Sequence, residues 1–465
     1  MERCQVRQGI ILHPQNVIIK KRPRPLFCIF NCMKNKRLLV ATCVGLAIVC
    51  IAFICQSDDA NGIDNVKPSQ RTIDLNRGSL GAETWLEVEK NETVKICLDS
   101  KVRSWETSLN AEILNDSCLK VQIPTLIGVS TINVKFVDTD SSHKINLAIG
   151  MKYLDFKDKR VFLGHDIRLK KEFSGHDVII SGTYLVDKYP VTNCEFMLLL
   201  WNEIPLDPNN NWVDKKWPQR KKENLNNKKC IAQDTAANQI SLFMAMKYAN
   251  ARSIREGLKQ YYSFEDSPNK FIAINLEPNS KYKYIIGYHN FANNKEKTVF
   301  VAVDSSSDGY RLPFYDEWIM LAHGGDKNER HPWDSSATFK EISKYARFDP
   351  NKEYGATEPV GQLLPNGYGL YDIFGLVEEH VLFQSHNRLR DPFMSPMEIN
   401  VLNDYKCHYN DCPSCLKGGS IRDNWDQIDY SYYALDEYTG YSAGFRLIRN
   451  IGNNAKWTEV KSDKE

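Results

Sequence analysis

The chain has almost no excess of charge, since 60 basic and 58 acidic side chains leave a net charge of +2 over 465 residues. Nine of the basic residues lie among the first 37, which hold one acidic residue, so the rest of the chain is mildly acidic. Such a body lacks the basic surface that binding to a phosphate backbone needs. The composition therefore argues against a nucleic-acid partner.

Charge and proline are both missing from Leu38–Cys55, an apolar run at the lower limit of the length that spans a bilayer. The positive-inside bias makes residues 1–37 a basic cytoplasmic head and places the later residues outside. A second reading starts the chain at Met33, treats the residues before it as a mis-assigned leader, and makes the run a bacterial lipoprotein signal ending at Cys55. Both readings anchor the chain in the membrane. They put its body in the periplasm or outside the cell, after a flexible linker over residues 56–70.

The number of cysteines that follow the apolar run is odd, because there are seven of them. Disulfides suit an oxidising compartment, and Cys97 and Cys118 lie in neighbouring strand-like segments that could pair. Three others, Cys407, Cys412 and Cys415, have the spacing C-x₄-C-x₂-C. A disulfide with one free thiol and a zinc or copper site are both open readings of that group.

The residue pattern divides the body into two parts. Residues 71–153 predict a small β-rich module, in which "TINVKFV" and "KINLAIG" alternate on either side of a turn and indicate a hairpin. Residues 155–450 predict short helices separated by long loops, for example a helix over 241–258 capped by Ser241. Residues 451–465 are predicted to be a polar tail.

Four segments occur in order in the second part, and they are "YPVTNCEF" (189–196), "YRLPFYDEW" (310–318), "EPVGQLLPNGYGLYDIFGLVEEHV" (358–381) and "KGGS…GFRLIRN" (417–450). Together they resemble the sulfatase-modifying-factor domain of the formylglycine-generating enzyme family. The resemblance implies an α+β, C-type lectin-like fold over residues 155–450, with the β-rich module and the membrane or signal segment before it. In the second segment, Arg311 can pair with a carboxylate while Trp318 packs into the core.

The resemblance also implies a structural calcium ion, held by Asp372, Gly375, Val377 and Glu379. Carboxylate and carbonyl oxygens are the ligands that calcium takes. Where the family usually reads "GNVWEW", however, this chain reads "GLVEEH". The oxygen ligands are kept while the aromatic residues are lost, so a solvated acidic turn is the alternative.

The departure that bears most on activity follows the GGS sequence. Active members of the family are similar in placing one cysteine three residues past this serine and another five further on, and the two thiolates bind Cu(I). Those positions are Asp423 and Ile428 here. Because Cu(I) prefers sulfur ligands, a carboxylate and an alkyl group argue against copper and against a catalytic residue at either position.

The same stretch has the composition of a recognition surface, in which rigid aromatic side chains alternate with short polar ones. The candidate binding residues are Arg422, Asp423, Trp425, Tyr430, Tyr432, Tyr433, Tyr438 and Tyr441. The alternative is that about half of the tyrosines belong to the core.

The sequence thus favours a membrane-anchored, outward-facing relative of the formylglycine-generating enzymes that is not catalytic and binds a protein or glycan ligand. The alternative is a copper-dependent oxidase that generates formylglycine in sulfatase-type substrates. A different oxidase of the same superfamily is a further alternative, although no His-x₃-His spacing is present to support it.

Overall fold

In the computed structural model, the residues described are 70–163, 176–200, 234–266, 282–290, 295–324, 332–333, 337–352, 357–382, 414–424, 432–433 and 442–459. They belong to a single compact unit, Val66–Glu465. Within these ranges, no helix has the length and apolarity needed to cross a bilayer. The predicted head, membrane segment and nearly all of the linker lie outside the described residues.

The β-rich module is a sandwich of two four-stranded sheets. One sheet has the order β1-β3-β6-β5 and the other β2-β8-β7-β4. The strands are β1 (Gln70–Leu75), β2 (Glu83–Val88), β3 (Thr93–Leu98), β4 (Val102–Thr107), β5 (Ala111–Ile113), β6 (Cys118–Gln122), β7 (Gly128–Phe136) and β8 (Ser142–Ile149). Apolar side chains at alternate positions of both sheets form one buried cluster.

Two features expected from the sequence are present in this sandwich. The hairpin is formed by β7 and β8, which pair antiparallel from Gly128↔Ile149 to Lys135↔Ser142. Cys97 of β3 and Cys118 of β6 are directly opposed across an antiparallel pair and are joined by a disulfide.

The second part of the chain is a mixed, sheet-rich domain with few helices. Its strands are β9 (Met151–Leu163), β10 (His176–Asp187), β11 (Tyr262–Asp266), β12 (Tyr282–Asn290), β13 (Lys295–Val303), β14 (Glu378–Leu382), β15 (Ser414–Lys417), β16 (Tyr432–Tyr433), β17 (Ala443–Gly444) and β18 (Ile448–Glu459). They form three sheets with the orders β18-β10-β9, β11-β13-β12 and β16-β15-β14-β17. The third sheet carries the candidate site.

The described helices of this domain are α1 (Asn193–Leu200), α2 (Leu242–Arg255), α3 (Tyr315–His323) and α4 (Phe339–Ile342). As predicted, Ser241 caps α2, because its side chain accepts a hydrogen bond from the backbone N–H of Met244. The expected pairing of Arg311 is a bidentate one with Glu317 on α3, at 2.6 and 2.7 Å. Trp318 is buried in the core, as predicted.

The first part of the predicted polar tail, residues 451–459, forms a strand. Residues from Ile451 to Glu459 continue β18, which pairs with β10 from Val186↔Ile448 to Val178↔Glu459. The segment is polar in composition, and composition alone does not reveal that its backbone pairs with a strand far away in the sequence. Residues 460–465 lie outside the described residues.

The module and the domain share a core rather than meeting at a flexible joint. Ile127 and Ala148 of the module belong to the same buried cluster as Phe196, Tyr248 and Phe445 of the domain. The backbone crosses between them at Gly150, between the end of β8 and the start of β9. Continuous packing of this kind makes the two parts one folding unit.

A partly buried lysine strengthens this interface. The ammonium of Lys90 lies 2.8 Å from Asp234 and 3.4 Å from Glu195. Glu195, which is almost fully buried, also accepts hydrogen bonds from the backbone N–H of Ile127 and from the hydroxyl of Tyr248. Burial lowers the pKa of Lys90, but the charges of Glu195 and Asp234 outweigh it and hold that pKa above its usual value.

We expect Lys90→Met to lower the free energy of unfolding by about 2–4 kcal/mol, because it leaves the buried Glu195 and the partly buried Asp234 without their cation. Urea denaturation followed by tryptophan fluorescence measures this. Lys101→Met is the matched control, since Lys101 and its partner Asp116 are mostly exposed and such pairs contribute little. Equal losses in the two variants would show that Lys90 does not hold the interface.

Candidate functional site

The site is built on β14, and its rear side is held by a buried ion pair. Glu379 and Arg446 are both fully buried. The Nε of Arg446 lies 2.8 Å from each carboxylate oxygen of Glu379, and its Nη2 lies 2.6 Å from one of them. Trp318 donates from Nε1 to Glu379 at 2.8 Å. Arg446 also donates to the carbonyls of Tyr371 and Asp187, so strand, helix and loops are tied at one point.

This arrangement does not fit the calcium ion that the resemblance implies. Both oxygens of Glu379 are already engaged by Arg446 and Trp318. The carboxylate of Asp372 accepts from the backbone N–H of Gly361 at 2.6 Å, and burial raises the pKa of Asp372 to about 6 despite that bond. Within the described ranges, no group of three or more His, Cys, Asp or Glu side chains is placed to hold a metal ion.

The opposite face of β14 carries different chemistry, because successive side chains of a strand point to opposite faces. Glu378 and His380 lie on this front face, while Glu379 lies on the rear one. Glu378 is 8% exposed, and its carboxylate has no hydrogen-bond partner among the described residues. Burial, followed by the nearby charge of Asp423, raises the pKa of Glu378 to about 8.

His380 is buried beside it and presents a free acceptor. Its Nε2 lies 2.7 Å from the carbonyl oxygen of Ile240, which can only accept, so Nε2 carries the hydrogen. The Nδ1 atom is then an acceptor, and it is buried without a partner among the described residues. Burial lowers the pKa of His380 to about 4, against the effect of the bond to Ile240, and so favours this neutral form.

The turn after β15 brings Asp423 to this face. Asp423 accepts through Oδ2 from the backbone N–H of Ser420 at 2.6 Å and from its hydroxyl at 2.9 Å. The glycine before this turn is required, because Gly418 has φ of +91° and a Cβ there would lie 2.6 Å from the carbonyl of Ile373. The backbone N–H of Ile421 bonds the carbonyl of Leu376, which fixes the turn against the start of β14.

The structure unites only part of the predicted binding surface. Arg422 and Asp423 lie in the turn, and Arg422 donates from Nε to the carbonyl of Lys352 at 3.0 Å. Tyr432 and Tyr433 form β16, which pairs with β15. The other predicted binding residues, Trp425, Tyr430, Tyr438 and Tyr441, lie outside the described residues, as does Ile428, at the position of the family's second cysteine.

The structure likewise describes only some of the cysteines. Cys415 lies in β15, opposite Val381 of β14, while Cys407 and Cys412 lie outside the described residues. Cys194 of α1 is disulfide-bonded. Among the described residues, no cysteine lies on the front face of β14 with Glu378.

Sequence reasoning missed Glu378 and His380 as site residues. It noted only that they stand where the family has tryptophan, and interpreted this as lost packing. The signal that could have found them is the strand period, since two polar residues spaced by two in "VEEHV" share one face.

The family follows from comparison with known proteins. The model of the sulfatase-modifying factor enzyme 1-like domain matches residues 142–451, two-thirds of the chain, and the chain belongs to this family. Its match begins within β8 of the sandwich and includes every element of the site.

Individual relatives are more distant. The chain is 26% identical over 223 residues to the "Chaperone protein LppX" of Paenibacillus barcinonensis, which covers 45% of this chain and 65% of that protein. It is 37% identical over 79 residues to the formylglycine-generating enzyme of Thermomonospora curvata, which covers 15% of this chain and 26% of that enzyme. The chain thus spans less than two-thirds of either relative.

Solved structures include Treponema denticola variable protein 1, at 19% identity and a TM-score of 0.39, covering 70% of this chain and 99% of that one. They also include PvdO from Pseudomonas aeruginosa, at 16% identity and a TM-score of 0.38, covering 65% of this chain and 94% of that one.

The raised pKa of Glu378 predicts how stability depends on pH. Its value in the unfolded chain is near 4.5, so the folded state holds the proton more tightly. The contribution to stability is present in full below pH 4.5 and is lost as the pH rises through about 8. At pH 9, Glu378→Gln should therefore have a free energy of unfolding about 2–4 kcal/mol above that of the unchanged protein.

Urea denaturation at pH 5, 7 and 9 measures this difference. Glu112→Gln on the module surface is the control and should follow the unchanged protein at each pH. Parallel stability curves for Glu378→Gln and the unchanged protein would contradict a raised pKa at Glu378.

Proposed function

We propose that this chain is a non-catalytic member of its family that binds a protein partner through the turn at Ser420–Asp423 and the tyrosine-rich residues that follow it in the sequence. The observation that carries the proposal is the state of Asp423, at the position of the family's first copper-binding cysteine. Its carboxylate closes the turn through Ser420 and lies beside a second carboxylate, that of Glu378. A hard carboxylate at position 423 suits a ligand that donates hydrogen bonds and does not suit Cu(I).

Two further points support a protein partner. The LppX relative bears the name of a chaperone, and chaperones act on other proteins. The residues that follow the turn are rich in tyrosine and short polar residues, a composition that protein-binding surfaces use. The match to LppX is more extensive than that to the formylglycine-generating enzyme, at 223 against 79 residues.

The place of action belongs to the same proposal. The apolar run Leu38–Cys55 anchors the chain, by a signal-anchor or through a lipid on Cys55, and the body faces the periplasm or the exterior. The disulfide between Cys97 and Cys118 suits an oxidising compartment of that kind.

A turnover assay tests the non-catalytic reading. The full chain in detergent is supplied with Cu(I), oxygen and a peptide that contains the cysteine motif of the family's substrates, and the mass of the peptide is followed. We expect no aldehyde, because position 423 offers a carboxylate in place of a thiolate. The Thermomonospora curvata enzyme serves as the positive control.

A matched variant identifies the reason for inactivity. Replacing Asp423 and Ile428 together by cysteine supplies the two thiols of the family, and tight binding of one Cu(I) should appear in that double variant alone. Conversion of the peptide by the unchanged chain would establish the oxidase alternative and end the present proposal.

A further inference from the structure

The interface between the module and the domain brings an amine, a carboxyl group and a second carboxylate together. The Nζ of Lys90 lies 2.8 Å from Oδ2 of Asp234 and 3.4 Å from Oε1 of Glu195. Because a carboxyl C–O bond is only about 1.2 Å long, the Cγ of Asp234 is at most about 4 Å from the amine nitrogen. That separation is close to the ~3–3.5 Å at which a bound nucleophile is poised to attack.

Backbone contacts hold both ends of this pair in place. Lys90 lies in the turn between β2 and β3, where the next residue, Asn91, donates its backbone N–H to the carbonyl of Pro124. The carbonyl of Asp234 accepts from the backbone N–H of Val360. The two reacting residues are 144 positions apart in the sequence, so only the folded chain brings them together.

The second carboxylate, that of Glu195, is the fixed member of the group. Its side chain is only 3% exposed. Its Oε1 accepts from the backbone N–H of Ile127 at 3.0 Å, and its Oε2 accepts from the hydroxyl of Tyr248 at 3.3 Å. A carboxylate held in this way beside an amine can take a proton from it and pass that proton on.

The surroundings of Asp234 favour the form of a carboxyl group that an amine can attack. Its Oδ1 is buried and has no hydrogen-bond partner among the described residues. Burial raises the pKa of Asp234 against the effect of the Lys90 charge, and so favours the neutral acid. The amine itself rests in the protonated form, because the pKa of Lys90 lies above its usual value. Transfer of its proton to Glu195 is therefore the slow step.

Limited contact with solvent separates this group from an ordinary surface ion pair. The side chains of Lys90 and Asp234 are 15% and 18% exposed, which leaves a path by which a water molecule can depart. Lys101 and Asp116 lie 3.1 Å apart, but they are 75% and 58% exposed, and no second carboxylate pairs with Lys101 among the described residues. That pair has the same two functional groups without the buried base.

We propose that Lys90 and Asp234 condense into an isopeptide bond that joins the module covalently to the domain, with Glu195 as the catalytic residue of this self-reaction. The Nζ of Lys90 attacks the Cγ of Asp234, so that a C–N bond forms and one C–O bond breaks. The ammonium gives up two protons, and both leave on the departing oxygen as water. Glu195 carries the protons across and ends unchanged. Charge is conserved, because a cation and an anion give a neutral amide and water.

The fold supplies the driving force that free amines and carboxylates lack in water. Groups held in a reactive geometry behave as though their effective concentration were about 10⁵ M or more, which favours condensation. The bond closes a long loop and so restricts the unfolded chain. It adds to the loss of stability that Lys90→Met causes through the ion pair alone. The inference does not depend on the proposed function.

Peptide mass spectrometry of the full chain tests the bond directly. The protein is purified in detergent, reduced, alkylated, denatured and digested with trypsin. We expect one species that joins residues 78–95 to residues 230–247, with a mass below the sum of the two peptides by one molecule of water. Trypsin does not cleave after a linked Lys90, so the free peptide 78–90 should be depleted. Fragmentation locates the link at Lys90 and Asp234.

Matched variants assign the roles of the three residues. Lys90→Arg keeps the cation but lacks the nucleophile, and it should abolish the linked species. Glu195→Gln keeps the size of the side chain and should lower the linked fraction by roughly tenfold or more, because a positioned proton carrier typically contributes a factor of about 100. Lys101→Arg should leave the linked fraction unchanged. A cooperative thermal transition in each variant shows that the fold is retained.

Complete recovery of the free peptides 78–90 and 230–247 from the unchanged chain would overturn the inference, whatever the variants do. A link of equal abundance between Lys101 and Asp116 would also overturn it, because dehydration would then be unspecific. An undiminished link in folded Glu195→Gln would remove the catalytic role of Glu195. The turnover assay for formylglycine is independent of all three results.

Discussion

The architecture of the domain depends on one buried ion pair, that between Glu379 and Arg446. Neither side chain reaches solvent, and the pair is completed by Trp318 of α3 and by the carbonyls of Tyr371 and Asp187. A second buried pair, Arg252 with Asp187, adjoins it, since Asp187 also accepts from the backbone N–H of Leu447. A buried charge that loses its partner costs several kcal/mol, so the loss of any one member of this network would destabilise the fold. The network thus fixes β14 from behind.

This division explains how a family fold can keep its frame while its chemistry changes. The residues behind β14 bind only one another, and a substitution there would expose charge in the core. In front, Glu378 lies near Asp423, in a turn whose shape is set by Ser420 and by Gly418, while His380 bonds the carbonyl of Ile240. A carboxylate at position 423 suits that turn because it accepts two hydrogen bonds from Ser420. The position therefore has a structural use that does not require a metal.

The sequence predicts local features of this protein well and distant contacts poorly. The Ser241 cap, the β7–β8 hairpin and the pairing of Arg311 with Glu317 arise from residues close in the chain, where capping, turn and spacing rules apply. Glu379 was expected to bind calcium because of the family resemblance, and no spacing rule reveals its actual partner, Arg446, which is 67 residues away. The three consecutive polar residues of β14 are all buried, so hydropathy could not tell which belonged to the frame and which to the site. The continuation of β18 was missed for the same reason, since its partner strand lies more than 250 residues earlier.

The contact of Lys90 with Glu195 and Asp234 has a consequence for how this family is divided into domains. Similarity to the family begins at residue 142, inside the sandwich, whereas the cation that neutralises two domain carboxylates comes from residue 90. A fragment cut at the family boundary would retain both carboxylates and discard their counter-charge, together with the partner strands of β8. The segment that matches the family by sequence is therefore shorter than the compact unit of this chain, Val66–Glu465, which includes the whole sandwich.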